Sequence, residues 1–367
     1  MKIVYSFGVP SHLENHFITE LKIAQKYSNG RLEIIPFSHR KVSGFARDMA
    51  PWVLDDLYRK KDARLMSFYQ KVVEVIKGAD VFFVDQECIY HPDFIKELSE
   101  SVYTVIYSGD DPESSYFRSK PYLYAFDHAF CYGVYHSDGT KMADKFKEWG
   151  SKRAHFKPFG CENYVYDENF TKEEILTKDR DIDVIFIGGV GTDDRYKRLL
   201  EIRKKLGKRF KIYGRWGGLK GMLRRFLKGY GLFWINEVSE AKLISLYKRA
   251  KIGINMHLSY GPCNLRLYQL PMNGVMQICD NKIGLAEIYE LDKEVVGYTT
   301  IDEAVEKINY FLQHDEERKK IAAAGFEKTK SCYLFRHTFY DIVKHLEQGI
   351  KEKQSGIILE KRQTVSA

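Results

Sequence analysis

Short apolar runs alternate with amphipathic stretches along almost all of this 367-residue chain. The runs have the length of buried strands, whereas the stretches between them carry apolar residues at helical spacing. Such an alternation predicts an α/β protein whose parallel sheets are covered by helices on both faces. The strand-like runs are residues 3–5, 32–35, 81–84, 102–107 and 129–132, and then residues 184–187, 210–213, 252–254, 275–279 and 295–298.

The chain is too long for one typical domain core and fits two domains of about 150 to 200 residues. The segment between the two groups of strands is polar, contains Pro158 and Gly160, and carries an acidic cluster. Such a composition is typical of an interdomain connection. We therefore predict a first domain at residues 1–160, a linker at residues 161–180 and a second domain at residues 181–335.

Six cysteines are scattered along the chain, and no two of them form a CxxC pair. This spacing is typical of reduced thiols in the cytoplasm and disfavours a zinc knuckle or a disulfide framework. The N-terminal apolar run is too short for a signal peptide, and no run approaches the roughly 18 apolar residues that span a bilayer. With 44% hydrophobic and 29% charged residues, the sequence predicts a globular cytoplasmic protein.

The formal net charge of +8 is unevenly spread. From Arg195 to Lys228 there are fourteen lysines and arginines against one acidic residue, Glu201. Within this region, residues 221–233 (GMLRRFLKGYGLF) mix basic residues with Met, Leu and Phe, as interfacial helices do. The segment is therefore either a solvated basic surface, as most basic runs are, or a peripheral contact with the inner face of a membrane.

The stretch at residues 252–281 carries the strongest functional pattern. It predicts a strand, a Gly-Pro-Cys-Asn loop, a helix at residues 265–273 and a second strand. Asn264 is a suitable N-cap, and Gly274 lies where helices commonly end in glycine. Backbone N–H groups at a helix start attract anions, whereas Arg266 in the first turn is opposed by the helix dipole. A cation placed there predicts a pocket for a diphosphate.

The same stretch resembles the signature of retaining, nucleotide-sugar-dependent glycosyltransferases of the GT-B type. More narrowly, it is similar to the bacterial group related to spore-maturation glycosyltransferases. The family pattern of Arg, any residue, an aromatic, Glu and a later Gly is matched by Arg266, Tyr268, Gln269 and Gly274. Gln269 replaces the usual Glu, and Gly261 replaces an upstream acid of the wider family. An amide can still exchange hydrogen bonds with ribose hydroxyls.

Other segments match the same group in the same order along the chain. They are residues 108–112, 126–127, 157–160 and 183–188, Arg195, and residues 213–216. The resemblance implies a GT-B architecture, in which two Rossmann-like domains enclose a deep interdomain cleft. It further implies that the first domain binds the acceptor and the second binds the nucleotide sugar. A closing helix at residues 336–354 would cross back to the first domain, before a flexible tail at residues 355–367.

The resemblance places the donor on the second domain. For its diphosphate we predict the backbone at Asn264 and Leu265, the guanidinium of Arg266, and one of Arg195 or Lys197, which follow a glycine-rich loop. Exposed helix cations are the alternative for the last two. For the ribose and base, the family's counterparts here are Gln269, Tyr213, Gly214, Arg215, Glu237 and Val238. Cations and backbone dipoles can stabilise a leaving diphosphate, so we expect no metal ion and no cofactor.

Candidates for the acceptor side follow predicted strands of the first domain. Asp110 and Asp111 would place a carboxylate near the reacting hydroxyl, with a turn before the next proline as the alternative. His12 and Glu14 follow the first strand and would help to bind or deprotonate the same hydroxyl. His12 and His16 also have the spacing of metal ligands, but the order H-x-E-x-H and the lack of a third ligand disfavour a metal site.

The sequence therefore predicts a glycosyltransferase that moves a sugar from a nucleoside-diphosphate donor to a hydroxyl of a glycan, lipid-linked or protein acceptor. Retention of configuration is implied by the family. A catalytically silent nucleotide-sugar-binding protein and a glycosyltransferase acting on nucleic acid are the alternatives, the second because of the basic segment. A nicotinamide oxidoreductase is disfavoured because Asp194 replaces the third glycine of its fingerprint, and Gly214 and Arg215 stand where a ribose-binding acid is needed.

Overall fold

The computed structural model describes residues 1–11, 13–45, 49–85, 89–109, 112, 115–190, 192–214, 223, 226–228, 236–262 and 264–365. The chain divides into two units. The first is Met1–Phe159 together with Phe335–Ala367, and the second is Gly160–Leu334. Each unit is built around one parallel sheet.

Six strands form the sheet of the first unit. They are β1 (Lys2–Phe7), β2 (Glu33–Ser38), β3 (Val81–Asp85), β4 (Tyr103–Ser108), β5 (His128–Cys131) and β6 (Ala154–Phe156). Their order across the sheet is β2-β1-β3-β4-β5-β6, and all neighbours are parallel. The connecting helices are α1 (Glu14–Tyr27), α2 (His39–Ser43), α3 (Pro51–Arg59), α4 (Ala63–Val75), α5 (Pro92–Ser99), α6 (Ser115–Arg118) and α7 (Met142–Glu148).

Five strands form the sheet of the second unit. They are β7 (Ile182–Ile187), β8 (Phe210–Tyr213), β9 (Ala250–Asn255), β10 (Met276–Asp280) and β11 (Val296–Tyr298), again all parallel, in the order β11-β10-β9-β7-β8. The helices are α8 (Lys172–Thr177), α9 (Asp193–Leu206), α10 (Glu240–Arg249), α11 (Arg266–Met272), α12 (Ile301–Gln313) and α13 (Asp315–Cys332).

The strand order of the second sheet reverses between β7 and β9. The chain moves from β7 to β8 on one side, and from β9 through β10 to β11 on the other. In parallel α/β sheets the connections that leave two such strands diverge, which opens a crevice at their carboxyl ends where ligands bind. The topology therefore directs attention to the ends of β7 and β9.

The last helix, α14 (Phe335–Val365), belongs to the first unit although it follows the second in sequence. It packs against α1 and supplies apolar side chains to one face of the first sheet. These side chains are Phe335, Phe339, Ile342, Val343 and Leu346. Further along the helix, Lys353 forms an ion pair with Asp127 at 2.7 Å.

Three histidines lie where α14 meets the first sheet. Nε2 of His128 is 2.8 Å from Nδ1 of His155, and the ring centroids of His155 and His345 are 4.1 Å apart. Burial, followed by repulsion from His345, lowers the pKa of His155 to about 4. Burial also strongly lowers the pKa of His128. At neutral pH these rings are therefore uncharged, and they pack as part of the fold.

All ten strands expected from the sequence are present, and β6 is an additional one. β6 escapes the pattern because its three residues, AHF, include a histidine and only Ala154 is fully buried. Two helices, α3 and α4, are separated by a short break at residues 60–62. The break occurs because Lys61 adopts a φ of +51° and the Asp62 side chain caps α4 by accepting the N–H groups of Arg64 and Leu65.

The predicted linker at residues 161–180 is instead part of the second unit. Although the segment is mostly polar, its apolar residues Phe170 and Ile175 are buried. A capping box between Thr171 and Glu174 starts α8. The closing helix also extends to Val365, beyond its predicted end at residue 354. The sequence there lacks proline and is rich in helix-forming residues, so nothing stops the helix earlier.

Candidate functional site

Three predicted donor residues come together where the strand order reverses. β7 ends at Ile187 and leads into Gly188, whereas β9 ends at Asn255. The side chains that reach this place come from the first turn of α9, from the loop before α11 and from the first residue of α11. They belong to Arg195, Asn264 and Arg266 respectively.

Arg266 is buried, with 9% of its surface exposed. Its Nε donates to the carbonyl oxygen of Ile187 at 2.7 Å, and its Nη1 donates to Oδ1 of Asn255 at 3.0 Å. The central carbon of the guanidinium lies 4.3 Å from the ring centroid of Phe186. Burial lowers the pKa of Arg266, and the dipole at the start of α11 opposes the same positive charge.

Two glycines allow the backbone to close around Arg266. A Cβ on Gly188 would lie 1.9 Å from Nη2 of Arg266, and a Cβ on Gly214 would lie 1.9 Å from the carbonyl oxygen of Gly188. Gly214 also has a φ of +141°, which other residues rarely adopt. The N–H of Gly188 donates to the carbonyl of Tyr213 at 3.0 Å. The predicted base-side residues Tyr213 and Gly214 are thus held against the loop that follows β7.

Arg195 lies half-buried in the first turn of α9. Its Nη1 donates to the carbonyl of Gly189 at 2.9 Å, and its Nη2 donates to the carbonyl of Met256 at 2.9 Å. Nε is buried and has no acceptor among the described residues. Burial, followed by repulsion from Arg266, lowers the pKa of Arg195 to about 10. The alternative that Arg195 is simply an exposed helix cation is therefore wrong.

The two guanidiniums bring positive charges together without a negative partner. In the described part of the chain, neither Arg195 nor Arg266 forms an ion pair with a carboxylate, and both donate to carbonyl or amide oxygens instead. Burial lowers the pKa of both arginines, and the more distant Asp280 only partly opposes this lowering. Buried cations without a counter-charge are costly, and a bound anion removes that cost. This is the strongest electrostatic feature of the site.

Asn264 caps α11 from just outside the helix. Its Oδ1 accepts the N–H of Leu267 at 3.0 Å, and its Nδ2 donates to Oδ1 of Asn255 at 2.9 Å. The predicted capping by Asn264 is thus present, with Leu265 between it and the first helical residue. At the other end, Gly274 has a φ of +68°, as a C-terminal glycine should.

A histidine–aspartate pair that the sequence analysis did not identify lies beside this site. Oδ1 of Asp280 is 2.6 Å from Nδ1 of His257, and Oδ2 accepts the backbone N–H of His257 at 2.9 Å. Burial lowers the pKa of His257 although Asp280 opposes the shift. The neutral ring leaves Nε2 buried and without a partner in the described part of the chain.

His257, Cys279 and Asp280 also place three ligand-type atoms within 4.8 Å of one another. Two ligands of a tetrahedral metal ion with bonds of about 2.0 Å lie about 3.3 Å apart. The 2.6 Å between His257 and Asp280 is shorter and is the length of a hydrogen bond. Burial also raises the pKa of Cys279 well above its usual value, which disfavours a thiolate ligand. The geometry fits a hydrogen-bonded pair better than a metal site.

The remaining predicted donor residues surround this centre less tightly. Gln269 is half-buried on α11, and its backbone carbonyl accepts a hydrogen bond from Asn273. Lys197 is exposed on α9. Glu237 is exposed and Val238 is half-buried, in a segment that the Gly214–Asn236 backbone hydrogen bond ties to β8. Arg215 lies outside the described residues.

The predicted acceptor residues are His12, Glu14, Asp110 and Asp111. His12, Asp110 and Asp111 lie outside the described residues. Glu14 is the first residue of α1, is half-buried, and lies 3.9 Å from Nζ of Lys41. Of the predicted membrane segment, only residues 223 and 226–228 are described. None of the described helices combines the length and the apolarity that crossing a bilayer requires.

Residues 195–344 match a protein family described as glycosyl transferase-like. None of the curated proteins matches the chain in sequence. Among solved structures, the chain is similar to a glycosyltransferase from Rickettsia africae, with a TM-score of 0.62 and 14% identity over 95% of this chain and 98% of the other.

Two further structures show the same likeness over nearly the whole chain. Sucrose-phosphate synthase from Thermosynechococcus elongatus has a TM-score of 0.60 and 11% identity, with 95% of this chain and 98% of the other covered. HepE from Anabaena in complex with UDP has a TM-score of 0.57 and 11% identity, with 95% and 100% covered. At such identities the likeness concerns the fold, and it confirms the two Rossmann-like sheets of the GT-B type. The family match adds that residues 195–344, most of which lie in the second unit, resemble glycosyl transferase-like proteins.

Proposed function

We propose that the protein transfers a sugar from a nucleoside-diphosphate donor to a hydroxyl group of a glycan, a lipid-linked saccharide or a protein. The observation that carries this proposal is the pair of guanidiniums of half-buried Arg195 and buried Arg266, which lack a carboxylate partner in the described part of the chain. A diphosphate would supply the missing negative charges. The glycines that follow β7 would allow its oxygens to approach the backbone.

The two guanidiniums would act mainly on the leaving group. As the bond between the sugar C1 and the phosphate oxygen breaks, negative charge grows on that oxygen, and preorganised cations in a desolvated site stabilise it. The acceptor hydroxyl forms its bond to C1 on the same face, and its proton passes to the departing phosphate oxygen. This route requires no protein nucleophile and retains the configuration at C1.

Structural relatives support a nucleotide-sugar donor. HepE has been solved in complex with UDP-glucose. The pneumococcal O-GlcNAc transferase GtfA, solved with UDP and GlcNAc, has a TM-score of 0.51 over 77% of this chain and 60% of that one. UDP-glucose and UDP both contain a diphosphate, and two adjacent guanidiniums suit the binding of a diphosphate.

A panel of nucleotides provides the direct test. UDP, GDP and TDP are each added at millimolar concentration, and thermal unfolding is followed with and without EDTA. At 100 times its dissociation constant, a bound nucleotide stabilises the protein by about 2.7 kcal/mol, which is several degrees in Tm. We expect one of the three to stabilise it, with no effect of EDTA, because the guanidiniums replace a metal ion. If none binds in calorimetry either, the proposal fails.

Turnover distinguishes a transferase from a silent binding protein on the same scaffold. The matching sugar nucleotide is incubated with the protein, and release of the nucleoside diphosphate is measured over hours. When no acceptor is present, a transferase slowly hydrolyses its donor by transferring the sugar to water, whereas a silent binding protein releases no nucleoside diphosphate.

A variant of the acceptor side tests the role of Glu14. Glu14→Gln should reduce transfer to an added acceptor more than it reduces hydrolysis of the donor, if Glu14 acts with Asp110, Asp111 and His12 on the acceptor hydroxyl.

The basic segment at residues 221–233 would hold the enzyme at an anionic membrane surface. Its described apolar side chains, Leu223, Phe226 and Leu227, are 59%, 59% and 76% exposed and have helical i, i+3, i+4 spacing. We expect the protein to sediment with phosphatidylglycerol vesicles but not with phosphatidylcholine vesicles. The variant Phe226→Ser/Leu227→Ser should lose this binding, whereas Leu176→Ser, another exposed leucine, should keep it. If the wild type and both variants sediment equally with the vesicles, residues 221–233 do not form the membrane contact.

A further inference from the structure

Two carboxamide side chains lie fully buried in the second sheet. Asn255 ends β9 and Gln277 is the second residue of β10, and both are 0% exposed. Burying an amide is unfavourable unless all of its polar atoms find partners. Here they do. Nδ2 of Asn255 donates to Oε1 of Gln277 at 3.0 Å, and Nε2 of Gln277 donates to the carbonyl of Leu267 at 3.2 Å.

The direction of this hydrogen-bond chain is set by the arginine at its end. An arginine can only donate, so the atom of Asn255 that faces Nη1 of Arg266 at 3.0 Å must be the amide oxygen. The same oxygen accepts Nδ2 of Asn264 at 2.9 Å. The amide nitrogen of Asn255 must then face Gln277, which in turn must present its oxygen. Each amide therefore has one permitted orientation.

At the other end of this hydrogen-bond chain from Arg266, the carbonyl of Leu267 needs a donor. In an α-helix this carbonyl would accept the N–H of the residue four positions later, which is Pro271 and has no N–H. Gln277 supplies the missing donor from the neighbouring strand. The chain of hydrogen bonds thus runs from a gap in α11, through two strands, to Arg266 at the start of the same helix.

We propose that Asn255 and Gln277 are positioning residues that hold Arg266 and Asn264 toward the donor diphosphate while leaving the charge of Arg266 available. A carboxylate at position 255 would hold the guanidinium equally well, but it would also neutralise it. A carboxamide gives orientation without counter-charge. This inference rests on the proposed diphosphate site and identifies what keeps that site cationic before the donor binds.

The isosteric variant Asn255→Asp provides the main test. UDP, GDP and TDP are titrated by calorimetry into the wild type and the variant, and the matching nucleosides uridine, guanosine and thymidine are titrated by NMR. We expect the affinity for the diphosphate that the wild type binds to fall about ten- to a hundredfold, which is the effect of one charge-assisted contact. The affinity for its nucleoside should stay within about twofold, because the nucleoside carries no charge.

Asn273→Asp is the matched control. Asn273 is another buried asparagine of the second unit, 1% exposed, whose Nδ2 donates to the carbonyls of Val165 and Gln269. Its replacement also buries a carboxylate and should lower Tm, but it lies at the opposite end of α11 from Arg266. The diphosphate affinity of the folded variant should therefore remain that of the wild type.

A second variant separates positioning from helix repair. Gln277→Met removes both hydrogen bonds of the side chain, and we expect lower stability together with about tenfold weaker diphosphate binding. Adding Pro271→Ala restores an N–H for the carbonyl of Leu267. The double variant should recover stability but not affinity, because the amide of Asn255 still lacks its acceptor.

Each outcome decides the inference. It is overturned if Asn255→Asp binds the diphosphate as tightly as the wild type, if Asn273→Asp loses affinity to the same extent, or if Pro271→Ala restores the affinity of Gln277→Met. If Asn255→Asp does not fold, the Gln277→Met pair decides alone. If the wild type itself binds none of the three diphosphates, the proposed function fails and the inference fails with it.

Discussion

Helix α11 has a buried arginine at each end, and the two have opposite surroundings. At the C-terminal end, Arg180 donates to the carbonyls of Tyr247, Ala250 and Asn273 at 3.1, 2.7 and 3.1 Å. These carbonyls lie at the ends of α10 and α11, where helix dipoles carry partial negative charge. At the N-terminal end, Arg266 faces the positive end of the dipole and a second guanidinium.

The difference suggests a criterion that separates a structural cation from one proposed to bind a ligand. Burial lowers the pKa of both Arg180 and Arg266, so burial alone does not separate them. Arg180 closes two helix ends and completes the fold without any further partner. Arg266 and Arg195 repel one another, and the fold provides them with orientation but no neutralising charge. The amino edge of the second sheet is thus closed by hydrogen bonds that complete the fold, and its carboxyl edge is where we propose that an anion binds.

The largest effect should come from exchanging each arginine for lysine. Lysine keeps the charge but loses the planar fork. Arg266→Lys should reduce nucleoside-diphosphate affinity and kcat/KM by about a hundredfold or more, since charge-assisted hydrogen bonds of about 1.5–3 kcal/mol are lost. Arg180→Lys should lower Tm by several degrees and leave affinity unchanged. Calorimetry measures the affinity and thermal unfolding measures Tm. A similar loss of affinity in Arg266→Lys and Arg180→Lys would show that the two arginines do not differ in their role.

A smaller effect separates the two predicted phosphate cations on α9. Arg195→Met removes a half-buried guanidinium that bridges the loops after β7 and β9, and it should weaken diphosphate binding about ten- to a hundredfold. Lys197→Met changes an exposed residue two positions away. We expect at most about a twofold loss there, from long-range attraction alone. Equal losses in both variants would favour a general basic surface over a built site.

The smallest effect concerns the amino edge of the first sheet. Because the pKa of His155 is lowered to about 4 from an ordinary value of 6.5, the fold favours the neutral ring. The associated stability is complete above pH 6.5 and is lost as the pH falls toward 4. Thermal unfolding should therefore show Tm falling in this range. His345→Phe, which removes a neighbouring ring that can be charged, should reduce the fall by about 2–4 °C. If His345→Phe shows the same dependence of Tm on pH as the wild type, these histidines do not cause the fall in Tm.

Local pattern predicts much of this fold because strands and helices follow from nearby residues. The run from Ala250 to Asn255 and that from Met276 to Asp280 are apolar enough to be recognised alone. The helix between them was predicted within one residue at each end. The linker was misjudged because its few buried apolar residues are separated by acids, and their burial depends on distant partners such as Phe326.

The site was predicted less completely, because its chemistry depends on pairings across the sheet. Arg195, Arg266 and Asn264 could be nominated from loop and helix signals. The sequence could not predict that Arg266 donates to the carbonyl of Ile187, which is 79 residues away. Asn255 and Gln277 each leave one trace in the sequence, which is a carboxamide directly beside apolar residues of a predicted strand. Such a residue signals a buried hydrogen bond, but the strand register alone decides with which partner.

The position of α14 also bears on how the chain matures during synthesis. Residues 1–159 leave the ribosome without the helix whose Phe339 packs against Tyr5 and Phe83 of their sheet. The second unit, Gly160–Leu334, is continuous and has emerged completely before that helix does. The second unit can therefore complete its fold while aromatic side chains on the sheet of the first unit are still uncovered. The half that is translated first is the half that is finished last.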